Sequence, residues 1–258
     1  MKIAVVGLGL IGGSIFKRLT KEGFDVIAIS SSQVGDKIYS DYEMLSECDV
    51  VFVATPMNTV LNILEKLSSV LNPTTLVTDV SSLKSFLIGR DYPFNFIPSH
   101  PMAGTEFKGY DNSFETLFDG AKWVITPFDS NQTNDVLEDL IIKMGATPIY
   151  ASPKEHDIAV SLISHAPMVL AQALFKSVQD NDLALKLASS GFRDMTRLAM
   201  SNPEMAMDMV ELNSDNIQQA LLRLYSSVGD LIENYNEPLL NDLSSKRAKM
   251  YKEGKNIL

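Results

Sequence analysis

Ile3-Ala-Val-Val-Gly7-Leu-Gly9-Leu-Ile-Gly12-Gly-Ser14 is the stretch on which the reading of this chain turns. A short apolar run, Ile3 to Val6, passes directly into Gly7-x-Gly9-x-x-Gly12. Ile11, Ile15, Phe16 and Leu19 then recur at helical spacing. Strand, tight glycine turn and helix in that order predict a dinucleotide site. Gly7 permits the turn, Gly9 lets a pyrophosphate approach the backbone, and Gly12 lets the helix pack close to the strand. The first N–H groups of the helix, at Leu10, Ile11 and Gly12, face the phosphates with the positive end of the helix dipole behind them. The alternative is a glycine-rich turn without a ligand. The motif's place between a strand and a helix favours the cofactor.

Working outward, Asp25 to Ser30 predicts a second strand. A carboxylate near the end of this strand holds the ribose 2′-hydroxyl in NAD sites. Here the strand runs into Ser30-Ser31-Ser32, with no carboxylate. Hydroxyls without a negative charge suit a 2′-phosphate, so NADP is expected ahead of NAD, with Lys37 as a further contact or a solvated loop residue. The polar stretch 31–47 is too short for a full crossover helix. Asp49 to Ala54 predicts a strand ending in Thr55-Pro56, residues 57–71 a helix, and Thr75 to Asp79 a fourth strand. The alternation implies an α/β, Rossmann-type, doubly wound parallel sheet, with ligands beyond the carboxyl ends of its strands. Gly7 to Gly12, Thr55-Pro56 and Val80-Ser81-Ser82 are therefore expected around one crevice.

The 258 residues suffice for one large or two modest domains. A net charge of −10 argues against nucleic-acid binding, so an anionic ligand must be met by a few local cations and backbone amides. The single cysteine, Cys48, excludes an internal disulfide and suits a reducing cytoplasm. No signal peptide is expected. No uninterrupted apolar run approaches the roughly 20 residues of a membrane span.

Further along, Phe96 to His100 reads as a strand end delivering a histidine into a loop, Pro101-Met-Ala-Gly-Thr105-Glu106. Only three histidines occur, and imidazole is the side chain suited to accept a proton near neutral pH. Trp123 to Pro127 predicts another strand, Asp135 to Met144 a helix, and Thr147 to Tyr150 a closing strand, with Trp123 in the core. Ser152-Pro153-Lys-Glu155 has the form of a capping box. Every later pattern is helical, with a kink expected at Pro167. A boundary is thus placed at 150/151, with a dinucleotide-binding domain over 1–150 and an all-helical domain over 151–258. The apolar positions of the helical part suggest pairing with a second copy. Met195, Met200, Met205, Met207 and Met209 read as packing filler, and His156, beside Asp157, reads as structural. No metal-ligand spacing is present.

Val5 to Ser14, Thr78-Asp-Val-Ser-Ser-Leu-Lys84, Ser99-His-Pro-Met-Ala-Gly-Thr-Glu106, Ser164-His-Ala-Pro167 and Ser189-Ser-Gly-Phe-Arg-Asp-Met-Thr-Arg197 together resemble, in order, the motifs of the prephenate/arogenate dehydrogenase family. The resemblance spans nearly the whole chain and points to the stand-alone form, although the segment 31–47 is shorter than the family's. It implies oxidative decarboxylation of prephenate or arogenate, with hydride transfer to NADP or NAD, by a homodimer joined through its C-terminal helices. It implies His100 as the base and Ser82 as a partner near the ring hydroxyl. It implies Arg197 on a substrate carboxylate, with Arg193 four residues earlier as support. His165 then contacts a carboxylate or makes an interhelical hydrogen bond, and Thr105 and Glu106 line the pocket. Two other readings compete: a hydroxyacid dehydrogenase of the β-hydroxyacid type, which relies on a lysine in the helical part, and a non-catalytic nucleotide sensor.

Overall fold

The computed structural model describes residues 1–105, 107–129 and 134–253. They form two compact units, Met1–Asp157 and Ile158–Leu258. The first unit contains six parallel strands: β1 (Lys2–Val6), β2 (Asp25–Ile29), β3 (Ile38–Tyr39), β4 (Val50–Val53), β5 (Leu76–Asp79) and β6 (Asn95–Phe96). Their order is β3-β2-β1-β4-β5-β6. The strand order reverses between β1 and β4, which sets a crevice at their carboxyl ends.

Period-two alternation on β1 makes both faces of the sheet apolar. Ile3 and Val5 face Ile15 and Leu19 of α1 (Leu10–Lys21). Ala4 and Val6 face the other way, into the cluster holding Val60, Leu64 and Leu67 of α2 (Met57–Leu67). Leu137, Leu140 and Ile141 of α3 (Asp135–Lys143) join the first cluster. Each aliphatic side chain buried this way contributes about 1.5–3 kcal/mol, which fixes the strand that ends at the glycine turn. Between β2 and β4 there is no crossover helix, only the two-residue β3 and a 3₁₀ turn at Tyr42–Leu45, as the length of the segment predicts.

A second sheet, which the sequence reading had not separated from the first, holds β7 (Ser99–Pro101), β8 (Lys122–Ile125) and β9 (Thr147–Tyr150). β7 runs antiparallel to β8, and β8 parallel to β9. Pro98 explains the change of sheet. The Ile97 N–H still bonds to Val77 in the first sheet, but proline has no N–H to continue the ladder. The Pro98 carbonyl instead accepts from the Thr126 N–H (2.8 Å), in the second sheet. His100 therefore lies within a strand, opposite Val124, and not in the loop that the sequence suggested.

The capping box forms: Ser152 N–H donates to Glu155 Oε2 (3.0 Å), and Glu155 N–H to Ser152 Oγ (3.3 Å). It starts α4 (Pro153–Val160), which carries the chain into the second unit. There follow a π-helical turn at Ser161–His165, then α5 (Ala166–Val178), α6 (Asp182–Leu187), α7 (Ser190–Thr196), α8 (Pro203–Leu212), α9 (Ser214–Glu233) and α10 (Glu237–Glu253). The deformation expected at Pro167 is this π-turn, in which the Ala166 N–H reaches back five residues to the Ser161 carbonyl. Pro167 removes one donor and crowds the preceding turn, and the wider turn accommodates it. Taken as a whole, Pro153–Val178 is long and apolar enough, by length and composition, to cross a membrane, although Ser161, Ser164 and His165 interrupt it.

Of the five methionines read as packing filler, only Met209 is buried; Met195, Met200, Met205 and Met207 are exposed in the single chain. They share this exposure with Leu187, Leu222, Tyr225 and Ile232.

Candidate active site

The glycine turn is sterically committed. Gly7 has φ of +96°, and a Cβ there would stand 2.7 Å from the Ala54 carbonyl oxygen. A Cβ on Gly12 would stand 1.9 Å from the Gly7 carbonyl oxygen. Gly9 differs: among the described residues no atom lies within 4 Å of where its Cβ would be, so the turn is open there. Gly9 is also the N-cap of α1, with no side-chain cap and no acidic residue in the first turn. The amides of Leu10, Ile11 and Gly12 thus present an uncapped, electropositive helix start.

Thr55, at the end of β4, closes the same corner, with its methyl 2.9 Å from the position of a Gly7 Cβ. Its hydroxyl is buried and has no hydrogen-bond partner among the described residues. Such an orphan costs about 1–3 kcal/mol unless a ligand satisfies it. Pro56 follows, exposed, at the start of α2. An open space above Gly9, uncapped amides and an orphaned hydroxyl together fit a dinucleotide's phosphates and ribose.

At the end of β2, the buried Ser30 hydroxyl accepts the N–H groups of Ser32 (3.2 Å) and Gln33 (3.0 Å), and Ser31 and Ser32 are exposed. No carboxylate occurs from Ser30 to Gly35. Lys37 is not directed at this corner, since its ammonium pairs with Asp25 (2.6 Å), at the opposite end of β2.

β5 ends in a fully buried polar cluster. Lys84 Nζ bonds to Asp79 Oδ2, to Ser81 Oγ (3.2 Å) and to the Ser99 carbonyl (2.7 Å). Ser81 donates to the same Asp79 oxygen. Burial pushes the Lys84 ammonium below the ordinary lysine range, against the pull of Asp79. Ser99 Oγ accepts from Trp123 Nε1 (2.9 Å), joins Thr78 Oγ1 (2.8 Å), and donates to the Asp79 carbonyl (3.1 Å). These bonds tie β7 to the end of β5. The sequence pointed to Ser82, but it is the neighbouring Ser81 that enters this cluster. Ser82 itself is half-buried.

The next residue on β7 is His100. Its Nδ1 lies 2.9 Å from Nε2 of His156, and His156 Nδ1 lies 2.8 Å from Asp157 Oδ1. Both residues come from the first turn and a half of α4. Asp157 also accepts the backbone N–H of Lys84 at Oδ1 (2.9 Å) and of Ser85 at Oδ2 (2.8 Å). Burial pushes its carboxyl up, but the bonds from His156, Ser85 and Lys84 outweigh burial and hold it below the ordinary carboxylate value. His156 is therefore the direct partner of His100, which the sequence reading missed. The His-Asp dipeptide one turn inside a capped helix was the signal in the sequence, but 56 residues separate the two histidines.

Thr105 is exposed and accepts the Phe107 N–H (3.2 Å); Glu106 lies outside the described residues. In the second unit, His165 is buried in the π-turn, where its Nδ1 accepts from Asn213 Nδ2 (3.2 Å). This is the interhelical bond left open by the sequence. Arg197 is exposed, just past α7, and Arg193 is exposed and pairs with Asp194 (3.2 Å).

The profile of the prephenate dehydrogenase nucleotide-binding domain matches residues 21–150, and that of the prephenate dehydrogenase dimerization domain matches 152–242. The prephenate dehydrogenase of Bacillus subtilis is 33% identical over 242 residues, covering 83% of this chain and 65% of its own length. The chain thus spans somewhat less than two thirds of that relative. Synechocystis arogenate dehydrogenase superposes with a TM-score of 0.80 at 33% identity, over 98% of this chain and 99% of that one. Prephenate dehydrogenase from A. aeolicus, solved in complex with hydroxyphenyl propionate and NAD+, superposes with 0.83 at 27% identity, over 98% of each chain. By sequence profile and by fold, this chain belongs to the prephenate dehydrogenase family.

Proposed function

We propose that the chain is an NAD(P)-dependent dehydrogenase that oxidatively decarboxylates prephenate or arogenate in tyrosine biosynthesis. The observation that carries this reading is His100, an imidazole held on β7 and tethered through one ring nitrogen to His156 beside the end of β5. The relatives are named as prephenate and arogenate dehydrogenases, and the A. aeolicus enzyme was solved with hydroxyphenyl propionate and NAD+.

When bound, the nicotinamide cofactor supplies the hydride acceptor. Gly7, Gly9 and Gly12, with the amides of Leu10 and Ile11, would hold its pyrophosphate, with Thr55 and Pro56 at the end of β4 as further contacts. NADP is preferred to NAD, because Ser30, Ser31 and Ser32 place hydroxyls and no carboxylate at the 2′ position. His100 takes the proton of the ring hydroxyl, with Ser82 adjacent to it. Loss of the ring carboxylate as carbon dioxide leaves an aromatic product, which makes the reaction irreversible. Arg197, with Arg193 in support, binds a substrate carboxylate through its planar fork. The family motifs also assign substrate binding to His165, Thr105 and Glu106.

Residues 1–150 act as the cofactor domain and 151–258 as the substrate and dimer domain. The exposed apolar helix faces and the match to a dimerization-domain profile support a homodimer, which we place in the cytoplasm. An absorbance assay at the reduced-nicotinamide band, crossing prephenate and arogenate with NADP and NAD, tests the proposal. Turnover with neither substrate, despite cofactor binding, supports a nucleotide sensor instead.

A further inference from the structure

We propose that His156 and Asp157 are positioning residues that hold His100 in the single tautomer able to act as a base. They also offset the charge that His100 gains. This inference rests on the reading of His100 as the base.

Each Asp157 oxygen accepts a backbone N–H, from Lys84 or from Ser85, so the carboxylate has no proton to give. The contact between Asp157 Oδ1 and His156 Nδ1, at 2.8 Å, then carries its proton on nitrogen. A neutral His156 with Nδ1 protonated has only an acceptor at Nε2. The nitrogen facing it at 2.9 Å, His100 Nδ1, is therefore the donor. That leaves the lone pair of His100 at Nε2, the position from which it takes a proton.

When Nε2 gains that proton, the Nδ1–H bond to His156 strengthens, and the Asp157 charge is felt through the intervening ring. A base oriented by a second group, itself fixed by a carboxylate, follows the general logic of activated sites. The arrangement is also rigid. Both His156 and Asp157 are 2% exposed, and they sit in the first turns of a helix fixed by its capping box.

α4, the segment after β5 and the neighbouring strand β8 each bring charged or titratable groups toward His100. α4 contributes His156 and Asp157. The segment after β5 contributes the Lys84–Asp79 pair, which touches the Ser99 carbonyl. The neighbouring strand β8 contributes Lys122, which is exposed. Through His156, Asp157 is a carboxylate linked to His100 by hydrogen bonds.

The test uses the full-length protein labelled with ¹⁵N at histidine, whose three imidazoles are few enough to assign with single variants. Near pH 8, well above the ordinary histidine value of about 6.5, His100 is expected as the Nδ1–H tautomer and His156 likewise. An Nε2–H tautomer at His100 overturns the proposal without any mutation.

In turnover, His156→Gln retains an acceptor for His100 but breaks the link to Asp157, and His156→Leu removes both. The expected order of kcat is wild type, then His156→Gln, then His156→Leu, with the last lowered at least about tenfold and KM little changed. The acidic limb of the kcat profile is expected to move down by about one pH unit in His156→Gln, as the protonated imidazole loses its distant carboxylate. Equal kcat and an unmoved limb in folded variants overturn the proposal. His100→Ala separates the two levels. If it leaves kcat intact, the base reading fails; if it abolishes turnover while the His156 variants match wild type, only this inference fails.

Discussion

Two neighbouring glycines allow the fold and the cofactor site to be tested apart. At Gly12 an added Cβ meets the Gly7 carbonyl oxygen at 1.9 Å and the Ala54 Cβ at 2.9 Å. Both are backbone or short, fixed groups, so neither can swing away. Bringing the oxygen contact out to about 3.4 Å means moving the start of α1 off β1 by roughly 1.5 Å, in a core packed to crystalline density. Such overpacking costs about 1–3 kcal/mol, and the upper end applies here because the clash is with backbone. Gly12→Ala should therefore lower Tm by about 5–10 °C. At Gly9 the same methyl meets nothing within 4 Å, and the backbone, at φ −90°, is one that alanine adopts freely. Gly9→Ala should leave Tm within about 1–2 °C, since surface changes without a steric cause stay within roughly 0.5 kcal/mol. The methyl does occupy the space that a pyrophosphate needs, so cofactor Kd should rise roughly 10- to 100-fold, equivalent to about 1.4–2.8 kcal/mol. Thermal unfolding and nicotinamide titration followed by tryptophan fluorescence read both quantities. If Gly9→Ala binds NADP and NAD as tightly as wild type, the turn does not hold the phosphates, however well its geometry suits them.

Three further outcomes are expected. Ser99→Ala leaves the buried Trp123 Nε1–H without its acceptor, and should cost about 1–3 kcal/mol in urea unfolding, with a shift in emission from the sole tryptophan; an unchanged spectrum and midpoint would show that another group takes over. Arg197→Ala should raise the substrate KM at least about tenfold with little change in Tm, and a change in Tm alone would mark the arginine as structural. Asp157 has a folded-state pKa below its unfolded value, so its stabilisation is complete above about pH 4 and is lost as the pH falls through the lower, folded value. Acid unfolding of Asp157→Asn should accordingly show a shallower limb below about pH 4, and a limb identical to wild type would refute the assignment.

The sequence by itself determined the dinucleotide unit. Its signals are local: period-two alternation on β1, the three glycines, and helical spacing after them all lie within Ile3 to Leu19, and steric rules act over that range. The same holds for the capping box at Ser152–Glu155, the shortened segment before β4, and the change to an all-helical pattern beyond it. His100 could be singled out because histidines are scarce here and its flanking motif is distinctive. Only the tertiary structure decided what touches it. Pro98 shifts the chain from one sheet to another, a consequence of ladder geometry with no local periodicity to announce it. His156 looked structural because its neighbour in sequence was an aspartate, whereas its partner in space lies 56 residues away. Nothing local in the sequence marks Lys84 for its pairing with buried Asp79. Exposed methionines looked like core because composition does not say which face of a helix is covered. Hydrogen bonds between distant segments depend on where the packed core places their backbones, and that placement is a property of the whole fold.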